Sequence, residues 1–103
     1  MSNFMRVPVG SVELAVESFG AGPPLLFAHG LTGSRQGTKR QFAGLALQHR
    51  IVVYDQRGHG DSTPVTDPAD YRLETMADDM GVVMDALGIE RAVVGGESMG
   101  AAT

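Results

Sequence analysis

Three short stretches of this chain combine residue types that could carry chemistry. The last is Gly96-Glu97-Ser98-Met99-Gly100. It follows a short β-branched run and precedes the small residues Ala101 and Ala102, a pattern that predicts a strand, a tight turn and the start of a helix. Such a turn lifts a serine hydroxyl above the sheet edge, where Ser98 can act as a nucleophile. Gly96 and Gly100 leave room for strand and helix to approach closely. The competing role for Ser98 is a helix cap. A bare Gly-x-Ser-x-Gly is expected by chance only roughly 0.1 times in a chain of this composition, so the apolar strand before it gives the motif its weight.

The second stretch is His29-Gly30-Leu31, which closes an apolar run at residues 25–28. Acyl transfer builds negative charge on a carbonyl oxygen, and backbone N–H donors aimed at that oxygen contribute heavily to the rate. The amides of Leu31 and Met99 are the candidate donors. Gly30 allows the chain to turn inward. His29 reads as a buried histidine that fixes the loop, with a role as general base as the alternative. The third stretch is Asp55-Gln56-Arg57-Gly58-His59-Gly60-Asp61-Ser62. Gly58 and Gly60 predict a tight loop, which Asp55 and Arg57 can lock through charge-assisted hydrogen bonds. Its functional alternative is Asp55 or Asp61 paired with His59 in the service of Ser98.

The elements that must position these stretches follow from apolar patterning. Residues 12–18 alternate, with Val12, Leu14 and Val16 on one face and Glu13 and Glu17 on a wet one, which predicts an antiparallel strand near a sheet edge. Residues 3–9 are its hairpin partner through Gly10-Ser11, although Pro8 interrupts them. Residues 25–28, 51–54 and 92–94 are apolar throughout, as central parallel strands are. Leu73, Met76, Met80, Val83, Met84 and Leu87 form a helical stripe ended by Gly88, with Ile89 packing back. A weaker helix is expected over residues 38–48 with Phe42, Leu45 and Ala46 inward. His49 reads as a cation at its end, and the pair Asp78-Asp79 as solvated. Strands alternating with helices predict an open α/β sheet, with ligands collecting beyond the carboxyl ends of its strands.

Composition removes other classes of function. The chain has 103 residues, a net charge of −4 and no cysteine, which excludes disulfides, thiolate metal sites and a cysteine nucleophile. No basic cluster favours nucleic acid. No apolar run approaches a membrane span, and the N-terminus lacks the core of a secretory signal. The expectation is one cytoplasmic domain, residues 1–103, with no metal, no cofactor, no nucleic-acid partner and a small-molecule substrate.

Together, the His-Gly, Asp-x-Arg-Gly-His-Gly-x-Ser and Gly-x-Ser-x-Gly motifs, in this order and spacing, resemble the N-terminal part of the α/β-hydrolase superfamily in its serine-nucleophile branch. The resemblance covers nearly the whole chain and implies that residues 1–103 are an incomplete domain of that fold, ending just after the nucleophile elbow. It implies a mostly parallel sheet with N-terminal antiparallel strands and helices on both faces. It also implies Ser98 as nucleophile, Leu31 and Met99 as oxyanion donors, and His29, Gly30, Asp55, Arg57, Gly58, Gly60, Gly96 and Gly100 as structural motif residues. The implied reaction is cleavage of an ester, lactone or thioester through an acyl-enzyme. A serine at the elbow argues against the haloalkane dehalogenase and epoxide hydrolase branches, which carry aspartate there. The sequence departs from the family pattern in lacking an aromatic within residues 32–38 and in having Ala101 where a second glycine is usual. The family's acid and base follow the elbow in chain order, so residues 1–103 are expected to be inactive alone. The last strand is then a bare edge open to self-association. The alternative is a non-catalytic remnant or binding module that keeps the fold signature.

Overall fold

The Gly10-Ser11 step closes a hairpin between β1 (Ser2–Val9) and β2 (Val12–Phe19), paired antiparallel from Ser2–Phe19 to Val9–Val12. Pro8 is accommodated because β1 is an outer strand, where a missing N–H breaks no second ladder. A computed structural model describes residues 2–29, 33–65, 72–96 and 100. The apolar runs become β3 (Pro24–Ala28), β4 (Arg50–Tyr54) and β5 (Val93–Gly96). Five strands form one mixed sheet in the order β1-β2-β4-β3-β5. β4 pairs antiparallel with β2 and parallel with β3, while β5 pairs parallel with β3. Ile51, Val52, Val53 and Tyr54 are all buried, as a central strand requires.

Two helices cover opposite faces. Helix α2 (Leu73–Ala86) lays Met80 and Val83 on Leu14, Val16, Leu26 and Val52. It ends as its stripe predicts. The Ile89 amide donates to the Met84 carbonyl and the Gly88 amide to the Asp85 carbonyl, the two bonds of a Schellman cap. Leu73, assigned to the stripe, is instead exposed at the first turn. Helix α1 (Arg35–Phe42) lies on the other face, where Phe42 meets Phe27 with ring centroids 4.8 Å apart.

The helix expected over residues 38–48 starts earlier and stops sooner. It begins at Arg35 and gives way at Ala43–Leu45 to a short 3-10 turn. Leu45 is exposed rather than inward, because residues 35–42 contain one apolar side chain, Phe42, too few for a continuous apolar stripe. The wet face assigned to β2 is also corrected. Glu13 is exposed, but Ala15 and Glu17 are buried, Glu17 against Arg35 and Lys39 of α1. At the far edge Val93 and Val94 stand 62% and 51% exposed. They are not enclosed like β3 and β4, since among the described residues β5 pairs on one side only.

Candidate active site

The carboxyl ends of β4, β3 and β5 lie side by side, and each leads into one of the three motifs. Parallel pairing sets Ala28 against Tyr54 and Gly96 against Ala28. Neighbouring strands are about 4.8 Å apart, so the chain leaves the sheet after Ala28 and after Gly96 at adjacent points. Gly100 then returns against β3. A methyl group on Gly100 would overlap the carbonyl groups of Ala28 and His29, so any side chain there would push the two segments apart. Ser98, Met99, Gly30 and Leu31 lie outside the described residues.

His29 is buried at the end of β3. Its Nε2 accepts the Gln56 backbone N–H at 2.8 Å, and its carbonyl accepts the Gln56 side-chain Nε2–H at 2.8 Å. A backbone N–H can only donate, so His29 Nε2 is unprotonated and the proton of the neutral ring sits on Nδ1. The His59 ring lies 5.0 Å away, tilted by 58°, and its Nδ1 is 3.0 Å from the Arg57 carbonyl oxygen.

Asp55 is fully enclosed and organises the loop after β4. Its carboxylate accepts the Arg35 backbone N–H at 2.7 Å, the Arg35 Nη1–H and the Asp61 backbone N–H at 3.0 Å. The Gly60 backbone has a φ of +48°, and a Cβ there would collide with the Asp55 carboxylate. Glycine is therefore required twice over at position 60. The Ser62 Oγ–H donates to the Asp55 carbonyl at 2.5 Å, while Ser62 Oγ accepts the Ala15 N–H at 2.9 Å. The Gly58 amide closes the loop on the Thr63 carbonyl at 3.1 Å.

Asp55 and Arg57 make their charge-assisted bonds to separate partners, Asp55 to Arg35 and Arg57 to Asp79. Arg57 turns to the α2 side, where its Nε and Nη2 donate to Asp79 at 2.7 and 2.8 Å. Asp79 is thus buried rather than solvated, because the planar guanidinium satisfies both carboxylate oxygens. On the α1 side, Arg35 Nε donates to Glu17 at 3.0 Å and Nη1 to Asp61 at 2.9 Å. Lys39 Nζ donates to the other Glu17 oxygen at 2.7 Å. Burial opposes the charge on Arg35, but hydrogen bonds to Asp61, Asp55 and Glu17, with the attraction of Asp55, raise its pKa above the ordinary arginine value. Burial, and then the negative charge of Asp79, push the Tyr54 hydroxyl well above the usual tyrosine range. Glu17, Arg35 and Asp79 escaped the motif reading. Their only signal was charge on faces that also had to pack. His49 is half-buried after the 3-10 turn, with its Nδ1 unpartnered among the described residues.

Residues 23–103 match the α/β-hydrolase fold family. The chain belongs to the α/β-hydrolase family. Among its relatives is a protein assigned as carbamate hydrolase RutD from Azorhizobium caulinodans, 36% identical over 91 residues that make up 88% of this chain and 34% of the relative. Another is 3-oxoadipate enol-lactonase 1 of Acinetobacter baylyi, 36% identical over 81 residues, or 79% of this chain and 29% of that one. The crystal structure of an epoxide hydrolase from Vigna radiata superposes with a TM-score of 0.87 at 25% identity, over 96% of this chain and 32% of that one. The chain thus spans about one third of the length of the α/β hydrolases it matches. No helix among the described residues is long and apolar enough to cross a membrane. No described cluster of three or more His, Asp or Glu could hold a metal ion.

Proposed function

We propose that this α/β hydrolase cleaves an acyl bond to oxygen or nitrogen through Ser98. In this reading the Ser98 Oγ attacks the acyl carbon while its proton passes to a general base. The carbonyl oxygen becomes an oxyanion held by the Leu31 and Met99 amides. Collapse of the tetrahedral intermediate expels the protonated leaving group and leaves an ester on Ser98. Water then adds to that ester and releases the acid with the serine restored. The observation that carries the reading is the Ala28–Gly96 register, which starts the two loops from adjacent strands. The close approach of Gly100 to the Ala28 and His29 carbonyls supports it further.

In this reading the general base is not His29, whose Nε2 is committed to the Gln56 amide. The family's chain order of nucleophile, acid, histidine instead puts acid and base later than the elbow. In this reading residues 1–103 supply the nucleophile and the oxyanion donors. The names of the relatives favour the substrate class, because a carbamate and an enol-lactone both present an acyl carbon to a nucleophile. An epoxide has none, and Ser98 stands where the resemblance expects aspartate in that branch.

The test is labelling of the full-length hydrolase with a fluorophosphonate. Stoichiometric modification at Ser98, with hydrolysis of p-nitrophenyl acetate abolished in Ser98→Ala, is expected. Undiminished hydrolysis in Ser98→Ala would sink the assignment.

A further inference from the structure

We infer that Gln56 is a positioning residue for the oxyanion donors, an inference that rests on the acyl-transfer reading above. Gln56 is almost completely enclosed, at 1% exposure, yet it is a long polar side chain in a site that packing alone would fill with an apolar one. It makes two bonds to one residue. Its backbone N–H holds the His29 ring through Nε2, and its side-chain N–H holds the His29 carbonyl, both at 2.8 Å.

The second bond bears on catalysis. The His29 carbonyl oxygen and the Gly30 N–H belong to one planar peptide unit, so pinning the oxygen fixes the plane from which the chain departs toward Leu31. The same carbonyl is approached by Gly100 from the β5 side. Gln56 thereby fixes the His29 carbonyl, which precedes the loop assigned one proposed oxyanion donor and lies beside Gly100. The His59 ring, 5.0 Å from His29, flanks the ring that the first bond holds. A reacting group displaced by about 1 Å can lose on the order of 100-fold in rate, and loss of one oxyanion donor costs about 100- to 1,000-fold. A tilted donor belongs at or below the lower of these limits.

The experiment compares wild-type full-length hydrolase with Gln56→Met, which keeps the side-chain length and removes the donor. Steady-state kinetics on p-nitrophenyl acetate are measured together with inhibition by a trifluoromethyl ketone, whose serine adduct carries the oxyanion. The expected result is a fall in kcat of about 10- to 100-fold with KM within about twofold. Affinity for the ketone should fall by the same factor as kcat/KM. A merely structural role would lower the amount of active enzyme, titrated by fluorophosphonate, without changing kcat per titrated site, and that result overturns the proposal. Gln56→Leu, which also removes the donor and adds no charge, carries the same test if Gln56→Met does not fold. On the wild-type protein, ¹⁵N NMR should find His29 protonated on Nδ1 alone, and a proton on Nε2 would overturn the clamp. Failure of the fluorophosphonate to label wild-type Ser98 defeats the acyl-transfer reading itself, whereas labelling with an unchanged kcat in the Gln56 variants defeats only the positioning role.

Discussion

The two faces of the sheet are held by different forces. Under α2 the contacts are hydrocarbon: Met80 and Val83 sit on Leu14, Val16 and Val52, with one Arg57–Asp79 pair beyond the strand ends. Under α1 they are largely ionic, because α1 offers Arg35, Thr38, Lys39 and a single aromatic to a face that contains Glu17 and Asp55. Apolar burial holds α2 through many weak, non-directional contacts and tolerates small shifts. Arg35 holds α1 through bonds that have direction. It joins β2, the end of β4 and the loop at Asp61 in one stroke. A hydrolase whose loops must leave adjacent strands in register gains from the second arrangement, since direction is what fixes a loop.

Breaking Arg35 should therefore have the largest effect. Arg35→Met leaves the buried carboxylates of Glu17 and Asp55 without their shared guanidinium, and removal of one partner from a buried pair costs about 3–5 kcal/mol. Denaturant unfolding should report a loss of that size. A loss below about 1 kcal/mol would mean that ion pairing is not what fastens α1, since the carboxylates would then be cheaply rehydrated.

Met80→Ala probes the other face. The expected loss is about 2–3 kcal/mol, the low end of the range for buried methionine, because Met80 sits at the core's rim. The contrast sharpens with salt. Raising ionic strength should leave the Met80 increment unchanged. A salt-dependent Met80 increment would show that the two faces are not independent.

These faces also differ in how legible they were. The α2 side could be read from its spacing: the stripe at Met76, Met80 and Val83 and the stop at Gly88 appear in the structure as a helix with a Schellman end. The hairpin at Gly10-Ser11 and the three apolar strands were legible for the same reason, since local patterning determines them. The α1 side was opaque, as was the Arg57–Asp79 ion pair of the α2 side. Glu17 and Asp79 looked solvated because charge in an alternating strand or an amphipathic helix usually is. Their partners Arg35 and Arg57 lie 18 and 22 residues away, a separation that no periodicity encodes. Around the candidate site, the sequence marked His29, Asp55 and the glycines as a set. It did not indicate that Gln56, the unremarkable residue between Asp55 and Arg57, would hold His29 twice.

Tyr54 offers a finer probe of the α2 side. Its hydroxyl is buried and has no hydrogen-bond partner among the described residues, and burial raises its pKa above the unfolded value of about 10. With the folded value raised, the stability it contributes is complete below pH 10 and is lost as pH climbs above it, because only the unfolded chain then releases the proton. The expected slope is up to about 1.4 kcal/mol per pH unit. Tyr54→Phe should flatten that alkaline loss while leaving stability at pH 7 unchanged or higher by up to about 1 kcal/mol. An unaltered alkaline limb in Tyr54→Phe would assign the loss to other groups.

The smallest effect belongs to the Arg6–Glu13 pair, which separates proximity of charge from burial of charge. Arg6 Nε lies 3.2 Å from Glu13, much like the 3.0 Å between Arg35 Nε and Glu17, but the Arg6 and Glu13 side chains are 40% and 54% exposed. Water screens the attraction and already solvates both groups, so nothing is stranded when one is removed. Arg6→Ala also loses a hydrogen bond from Nη1 to the Asp61 carbonyl at 2.9 Å, a carbonyl on an exposed residue where water can take the donor's place. The expected cost is about 0.2–1 kcal/mol, fading with added salt. If Arg6→Ala instead approached Arg35→Met in cost, the distinction drawn between the faces would fail. The Arg35 network would then owe its strength to the number of charges gathered near Asp61 rather than to their removal from water.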